Sequence, residues 1–171
     1  METGVNKAAE NMCTENKNAV ENSAECGTVP GNPADPQPYL ASKFELSHQD
    51  LKMYSPLTLA YIGDAAFEIV VRTVLVRRAN RQVNKLHRMA ASLVSAEHQS
   101  KMVAVLEPYF TEEEAHVYKR GRNAKAATKA KNASITDYRR ATGLEAVMGY
   151  LYLKGDYHRM VDLVELALER V

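Results

Sequence analysis

Between Ser55 and Arg78 the chain reads SPLTLAYIGDAAFEIVVRTVLVRR, a stretch that leaves almost no polar face when wound as a helix. Leu57, Leu59, Ile62, Ala65, Ala66, Ile69, Val70, Val74 and Leu75 spread over most of its circumference, so several sides must be covered by other parts of the protein. This element is central to the fold or part of a subunit contact, and the other segments have to be arranged around it. Ser55 as N-cap and Pro56 in the first turn, where a missing N–H costs nothing, mark its start.

From Leu46 onward the pattern stays helical. A second helix is expected to begin near Asn80 and to bury Val83, Leu86, Ala90, Leu93 and Val94. Thr111, followed by Glu112, Glu113 and Glu114, has the spacing of a capping box, with acids suited to the positive end of the helix dipole. Gly121 is expected to stop that helix. The following RGRNAKAATKAKNASITDY has no lasting apolar period and is read as loop or short irregular helix. Thr136 or Asp137 then caps a helix running to about Lys154, in which Gly143 and Gly149 allow a neighbour to come close. Gly155 ends it, and Asp156 caps a last amphipathic helix carrying Met160, Leu163, Val164, Ala167, Leu168 and Val171. No stretch alternates with period two and no internal repeat is visible, so the expected fold class is all-α.

The first 45 residues of the 171 are different material. They hold 3 Lys and Arg against 7 Asp and Glu, net −4, whereas residues 46–171 hold 19 against 14, net +5. Pro30, Pro33, Pro36 and Pro38 oppose helix there and supply no core. Residues 1–45 are therefore expected to be a disordered acidic tail, either a solvated extension or an arm that competes with a polyanion for a basic surface. Residues 46–171 form the domain. Cys13 and Cys26 both fall in the tail, which argues against a disulfide framework or a four-ligand zinc site. No run approaches the roughly 18 to 20 apolar residues of a membrane span, and METGVNKAAE lacks the order of a secretory signal, so a cytoplasmic location is expected.

Charge inside apolar helices is the signal for chemistry. Asp64 and Glu68 lie one turn apart on one face of the first apolar helix, and Glu145 lies in another apolar helix. A carboxylate is costly to desolvate unless it is paired or binds a cation. Glu68 has Arg72 at i,i+4 as an obvious partner. Asp64 has no basic residue three or four positions to either side, and Glu145 has only Arg139 and Arg140 at greater spacing. Metal coordination or acid–base work by Asp64 with Glu145 therefore stands open beside ordinary pairing.

Bases cluster twice. Residues 118–140 carry Lys119, Arg120, Arg122, Lys125, Lys129, Lys131, Arg139 and Arg140 against Asp137 alone, while residues 72–101 carry Arg72, Arg77, Arg78, Arg81, Lys85, Arg88 and Lys101 against Glu97. Such density marks a polyanion site. Asn123, Thr128, Asn132, Ser134 and Tyr138 add small donors suited to phosphate oxygens and ribose hydroxyls. The absence of a Leu/Phe/Trp face opposite these bases favours a nucleic-acid backbone over a membrane surface.

At this point the residues resemble a known family. LAYIGDAAFE at 59–68 resembles the signature helix of the ribonuclease III fold, and GLEAVMGYLYL at 143–153 resembles its second catalytic helix. RGRNAK at 120–125, followed by Tyr138-Arg139, is similar to the compact branch, Mini-ribonuclease III, which lacks a separate double-stranded-RNA-binding domain. The likeness covers about Leu51 to Val171. It implies an all-helical homodimer that cleaves double-stranded RNA with Mg²⁺. In the compact branch it implies a precursor of large-subunit ribosomal RNA as substrate, with a ribosomal protein as an accessory that can present it.

Carried over position by position, Asp64 matches the second acid of the signature helix and Glu145 the second acid of the later helix. These two are the expected catalytic and metal-binding residues. Ala60 and Thr142 stand where the other two acids of the larger enzymes would be, a reduction that the compact branch shares and that leaves the metal count open. Glu68 matches an acid of the compact branch and is a further candidate ligand. RNA contacts are expected at Arg120, Arg122, Asn123, Lys125, Lys129, Lys131, Tyr138 and Arg139. Two readings of other classes stand beside this one. A non-catalytic RNA-binding module of the same fold is favoured by Ala60 and Thr142, and a helical adaptor would make the acidic tail the working part.

Overall fold

The computed structural model describes residues 36–47, 49–125 and 134–171. Among these the chain forms seven α-helices and two single 3₁₀ turns, with no strand, as the periodicity requires. The helices are α1 (Gln37–Lys43), α2 (Pro56–Arg78), α3 (Val83–Leu93), α4 (Ala96–Leu106), α5 (Glu112–Asn123), α6 (Ile135–Lys154) and α7 (Tyr157–Arg170). Of the tail expected over residues 1–45, residues 1–35 lie outside the described residues, as do Thr128, Lys129, Lys131 and Asn132.

The apolar α2 is central, as its composition demands, and α6 is its principal neighbour. Their backbones meet at two glycines. A Cβ on Gly63 would sit 2.5 Å from the amide nitrogen of Gly149 and closer still to the carbonyl oxygen of Glu145. On the other side, a Cβ on Gly149 would run into the carbonyl oxygen of Leu59. This crossing, free of side chains, sets Gly63 against the Glu145 backbone and so carries Asp64, the next residue, to the same groove as Glu145. A second close approach joins α5 to α6, where a Cβ on Gly143 would lie 2.6 Å from the ring of Tyr118. Leu59, Phe67 and Val71 of α2, Met102, Val103 and Leu106 of α4, Leu144, Val147, Met148 and Leu151 of α6, and Leu163 and Val164 of α7 fill the core.

Capping follows the sequence at most ends. The Ser55 hydroxyl accepts from the Thr58 amide at 3.0 Å, Thr111 and Glu114 form the reciprocal capping box, and Gly155 closes α6 in the left-handed region with φ 79°. Glu114 does more than cap. Its carboxylate is 3% exposed and accepts two hydrogen bonds from the Arg159 guanidinium, each at 2.9 Å. This ion pair ties the start of α5 to α7.

Several expectations need correcting. The tail was expected to reach residue 45 without helix, yet Gln37–Lys43 is α1, because Pro36 is its N-cap and Pro38 lies in the first turn, positions that lose no helical hydrogen bond. Gln37 Nε2 donates to Tyr157 Oη at 3.1 Å and to the Tyr152 carbonyl at 3.4 Å, so α1 is tied to the domain. α3 begins at Val83, which is exposed, and of the residues expected to be buried there only Ala90 is fully so. α4, capped by Ser95, was not foreseen. Gly121 does not stop α5, which runs through it to Asn123, because the missing side chain is needed for contact with α6 rather than for a turn. Ser134, not Thr136 or Asp137, caps α6, accepting from the Asp137 amide at 3.0 Å.

Candidate active site

Asp64 and Glu145 line one groove of about 420 Å³, together with Ala60, Tyr61, Tyr138 and Thr142. The two acids singled out in the sequence are thus brought together from separate helices. Ala60 and Thr142 line the same groove, where the resemblance would place the two missing acids. The Thr142 hydroxyl turns to the Tyr138 carbonyl of its own helix, donating at 3.0 Å.

The groove is short of positive charge. Burial, followed by the negative charge of Asp64, pushes the Glu145 carboxyl up to about 7, against a smaller opposing effect of its hydrogen bond from Gln99. Partial burial, then the charge of Glu68, also raises Asp64 above its ordinary value. Glu145 Oε1 accepts from Gln99 Nε2 at 3.3 Å, and the buried Gln99 Oε1 receives no hydrogen bond. Two carboxylates held against their own ionisation at one groove form an oxygen-only donor pair. That is the chemistry a hard divalent cation such as Mg²⁺ requires. Among the described residues no group of three or more His, Cys, Asp and Glu comes together, so Asp64 and Glu145 would share such an ion with non-protein oxygens.

Glu68 is placed differently. Its carboxylate accepts from Arg72 at 2.7 Å, the i,i+4 pairing that the sequence offers, and it is not among the groove's lining residues. Of the expected RNA contacts, Tyr138 lines the groove, while Asn123, Lys125 and Arg139 are exposed. Arg122 lies half-buried over the Tyr118 ring at 5.8 Å. Arg120 has other work: its guanidinium donates to the Tyr54 carbonyl at 3.0 Å, holding the segment that leads into α2. In the second basic cluster, Arg72 and Lys101 are occupied by Glu68 and Glu97. Arg77, Arg78, Arg81, Lys85 and Arg88 remain exposed along the end of α2 and α3.

Gln99 is the site residue that sequence reading missed. Its signal was present: it stands one turn before Met102 and Val103 on the buried side of α4, a polar residue on an apolar face.

Comparison with known proteins agrees with this geometry. The sequence model of the Ribonuclease III domain matches residues 57–156, which include both α2 and α6. The fold and the paired carboxylates thus define an endoribonuclease of the ribonuclease III class. The "Mini-ribonuclease 3" of Clostridium tetani is 48% identical over 125 residues, covering 72% of this chain and 83% of the relative. That of Enterococcus faecalis is 45% identical over 125 residues, covering 72% and 95%. A crystal structure of a Fusobacterium nucleatum protein superposes with a TM-score of 0.64 at 25% identity, covering 71% of this chain and 98% of that one. The chain belongs to the Mini-ribonuclease 3 family.

Proposed function

We propose that the protein is a Mg²⁺-dependent endoribonuclease that cuts double-stranded RNA, acting in the cytoplasm as a homodimer on a precursor of large-subunit ribosomal RNA. The observation that carries this reading is the single groove formed by Asp64 and Glu145 at the glycine crossing of α2 and α6. These two carboxylates would hold the cation and fix its position relative to the scissile phosphate. When bound, Mg²⁺ would supply Lewis-acid activation of the attacking water and charge for the leaving 3′ oxygen. The exposed Lys125 and Arg139, with Tyr138 at the groove, would meet the backbone, and small polar donors would read the 2′-hydroxyls of the wide minor groove. The same reading includes a ribosomal protein that presents the precursor.

Support for a dimer comes from α2, where Leu57, Tyr61, Ile69 and Val76 remain exposed along one side. Tyr61, 82% exposed, also lines the groove. Covering this apolar face with a second copy would place two cutting sites close to one interface.

The test is cleavage of long duplex RNA with Mg²⁺ or EDTA, run beside a binding measurement. Cleavage is expected with Mg²⁺ alone. Asp64→Asn and Glu145→Gln are each expected to lose at least about 100-fold in rate while retaining duplex binding. Cleavage by either variant at more than a few per cent of the parental rate would refute the assignment. A precursor fragment of large-subunit ribosomal RNA, cut at a few fixed positions when an arbitrary duplex is not, would support the substrate.

A further inference from the structure

We infer that Gln99 is a positioning residue that locks the Glu145 carboxylate for cation binding, an inference that rests on Glu145 being a cation ligand. Gln99 sits on α4, 1% exposed, between the end of α3 and α6. Its amide nitrogen carries two hydrogens, and both are used. One goes to the Val94 carbonyl at 3.0 Å, the other to Glu145 Oε1 at 3.3 Å. This fixes the orientation of the amide, because a flipped group would set its oxygen against a carbonyl and a carboxylate. The price of that orientation is visible: Gln99 Oε1 is buried and receives no hydrogen bond.

A buried acceptor without a donor costs stability, and an apolar side chain of the same length would fill this space without that orphan, so packing alone does not account for the amide. What the amide accomplishes instead is local. Tethered to the Val94 backbone, it holds one carboxylate oxygen of Glu145, a residue that lines the groove with Asp64. It thereby reduces the freedom Glu145 must lose when a cation binds. A residue of the scaffold and a positioning residue predict different outcomes on replacement, since removing the first unfolds the protein and removing the second lowers cation affinity in a protein that still folds.

The experiment uses the full chain and Mn²⁺ alone as probe, titrated by calorimetry or electron paramagnetic resonance, with thermal unfolding of the cation-free protein in parallel. Gln99→Met keeps the length and volume and deletes both hydrogen bonds. It removes the orphaned Oε1 but also takes the donor from the Val94 carbonyl, so it is expected to stay folded and melt within a few degrees of the parent while Mn²⁺ affinity falls about tenfold, the worth of roughly one charge-assisted hydrogen bond. Gln99→Asn, one methylene too short to span Val94 and Glu145, is expected to weaken Mn²⁺ in the same way. Adding Gln99→Met to Glu145→Gln should weaken it no further. If Gln99→Met binds Mn²⁺ within twofold of the parent while Glu145→Gln does not, the inference fails and the assignment of Glu145 stands. If Glu145→Gln itself leaves Mn²⁺ binding unchanged, the underlying reading fails. Loss of the folded state by both Gln99 variants would make Gln99 part of the scaffold and overturn the inference as well.

Discussion

Glu145 is held against its own ionisation, and the consequence is measurable without RNA. Its carboxyl is raised to about 7 from an ordinary 4.5, first by burial and then by the charge of Asp64. As pH climbs from 4.5 to 7 the unfolded chain releases this proton while the folded chain keeps it, so the stability of the cation-free protein falls across that window. Above 7 the full cost is in place, roughly 3 kcal/mol. Glu145→Gln removes the ionisation. In EDTA at pH 8 it is expected to melt several degrees above the parent, and at pH 4.5 alongside it. Equal melting temperatures at both pH values would contradict the burial argument. Glu114 works with the opposite sign. Burial raises its pKa, but the hydrogen bonds from Arg159 and from the Thr111 amide outweigh burial and lower it. Its contribution is present above the unfolded value of 4.5 and is lost as pH falls through the lowered folded value. Arg159→Ala strands this carboxylate and is expected to cost about 3 to 5 kcal/mol in denaturant unfolding at pH 7. Asp64 and Glu145 were legible in the sequence because a charge in an apolar helix needs a reason. The Glu114–Arg159 pair was not, because Glu114 reads as one of three equivalent first-turn acids and only the arrival of α7 singles it out.

At the scale of elements, the site exists because two helices touch without side chains. The ends of α2 and the C-terminal end of α6 could be read from apolar period and caps, the start of α6 was set too late because Ser134 is its cap, and Gly149 was recognised as a place of close approach. Which helix comes close could not be read, since that is set by the packing of all seven. Gly63→Ala places a methyl group against the Glu145 carbonyl and the Gly149 amide, so α2 and α6 must separate. A loss of roughly 1 to 3 kcal/mol is expected from overpacking, with a larger fractional loss of cleavage because Asp64 and Glu145 move apart. A protein that melts and cleaves like the parent would refute the crossing. Arginines that look alike in sequence also divide by what their helix gives them to hold. Arg120 is committed to the Tyr54 carbonyl, whereas Lys125 just beyond the end of α5 is exposed. Arg120→Ala is expected to lower melting temperature and leave the salt dependence of duplex binding unchanged. Lys125→Ala should spare stability and flatten the slope of log affinity against log salt by about 0.9, taking the value for duplex DNA. Interchanged outcomes would return Arg120 to the RNA surface.

On the scale of the whole molecule, α2 has one more apolar side than the helices packed on it, α3, α5, α6 and α7, cover. The sequence required this helix to be central or at a subunit contact, and the structure makes it central while leaving Leu57, Tyr61, Ile69 and Val76 exposed. Which side stays open was beyond pattern reading, because periodicity shows that all sides are apolar and not which neighbours arrive. The open side is continuous with the groove through Leu57 and Tyr61, so assembly and catalysis share a boundary. Ile69, 60% exposed and outside the groove's lining, separates the two effects. A lysine there costs little in a monomer, since the position is already in water, but in an isologous dimer it is buried twice, once from each copy. Ile69→Lys is therefore expected to shift sedimentation at micromolar concentration from dimer to monomer while leaving the helical content and the Mn²⁺ affinity of each chain intact. Duplex RNA should then be nicked in one strand at a time rather than released as cut ends, because the paired site has been lost and the single site has not. Parental protein that already sediments as a monomer, or a variant that remains dimeric, would remove the α2 face from the assembly.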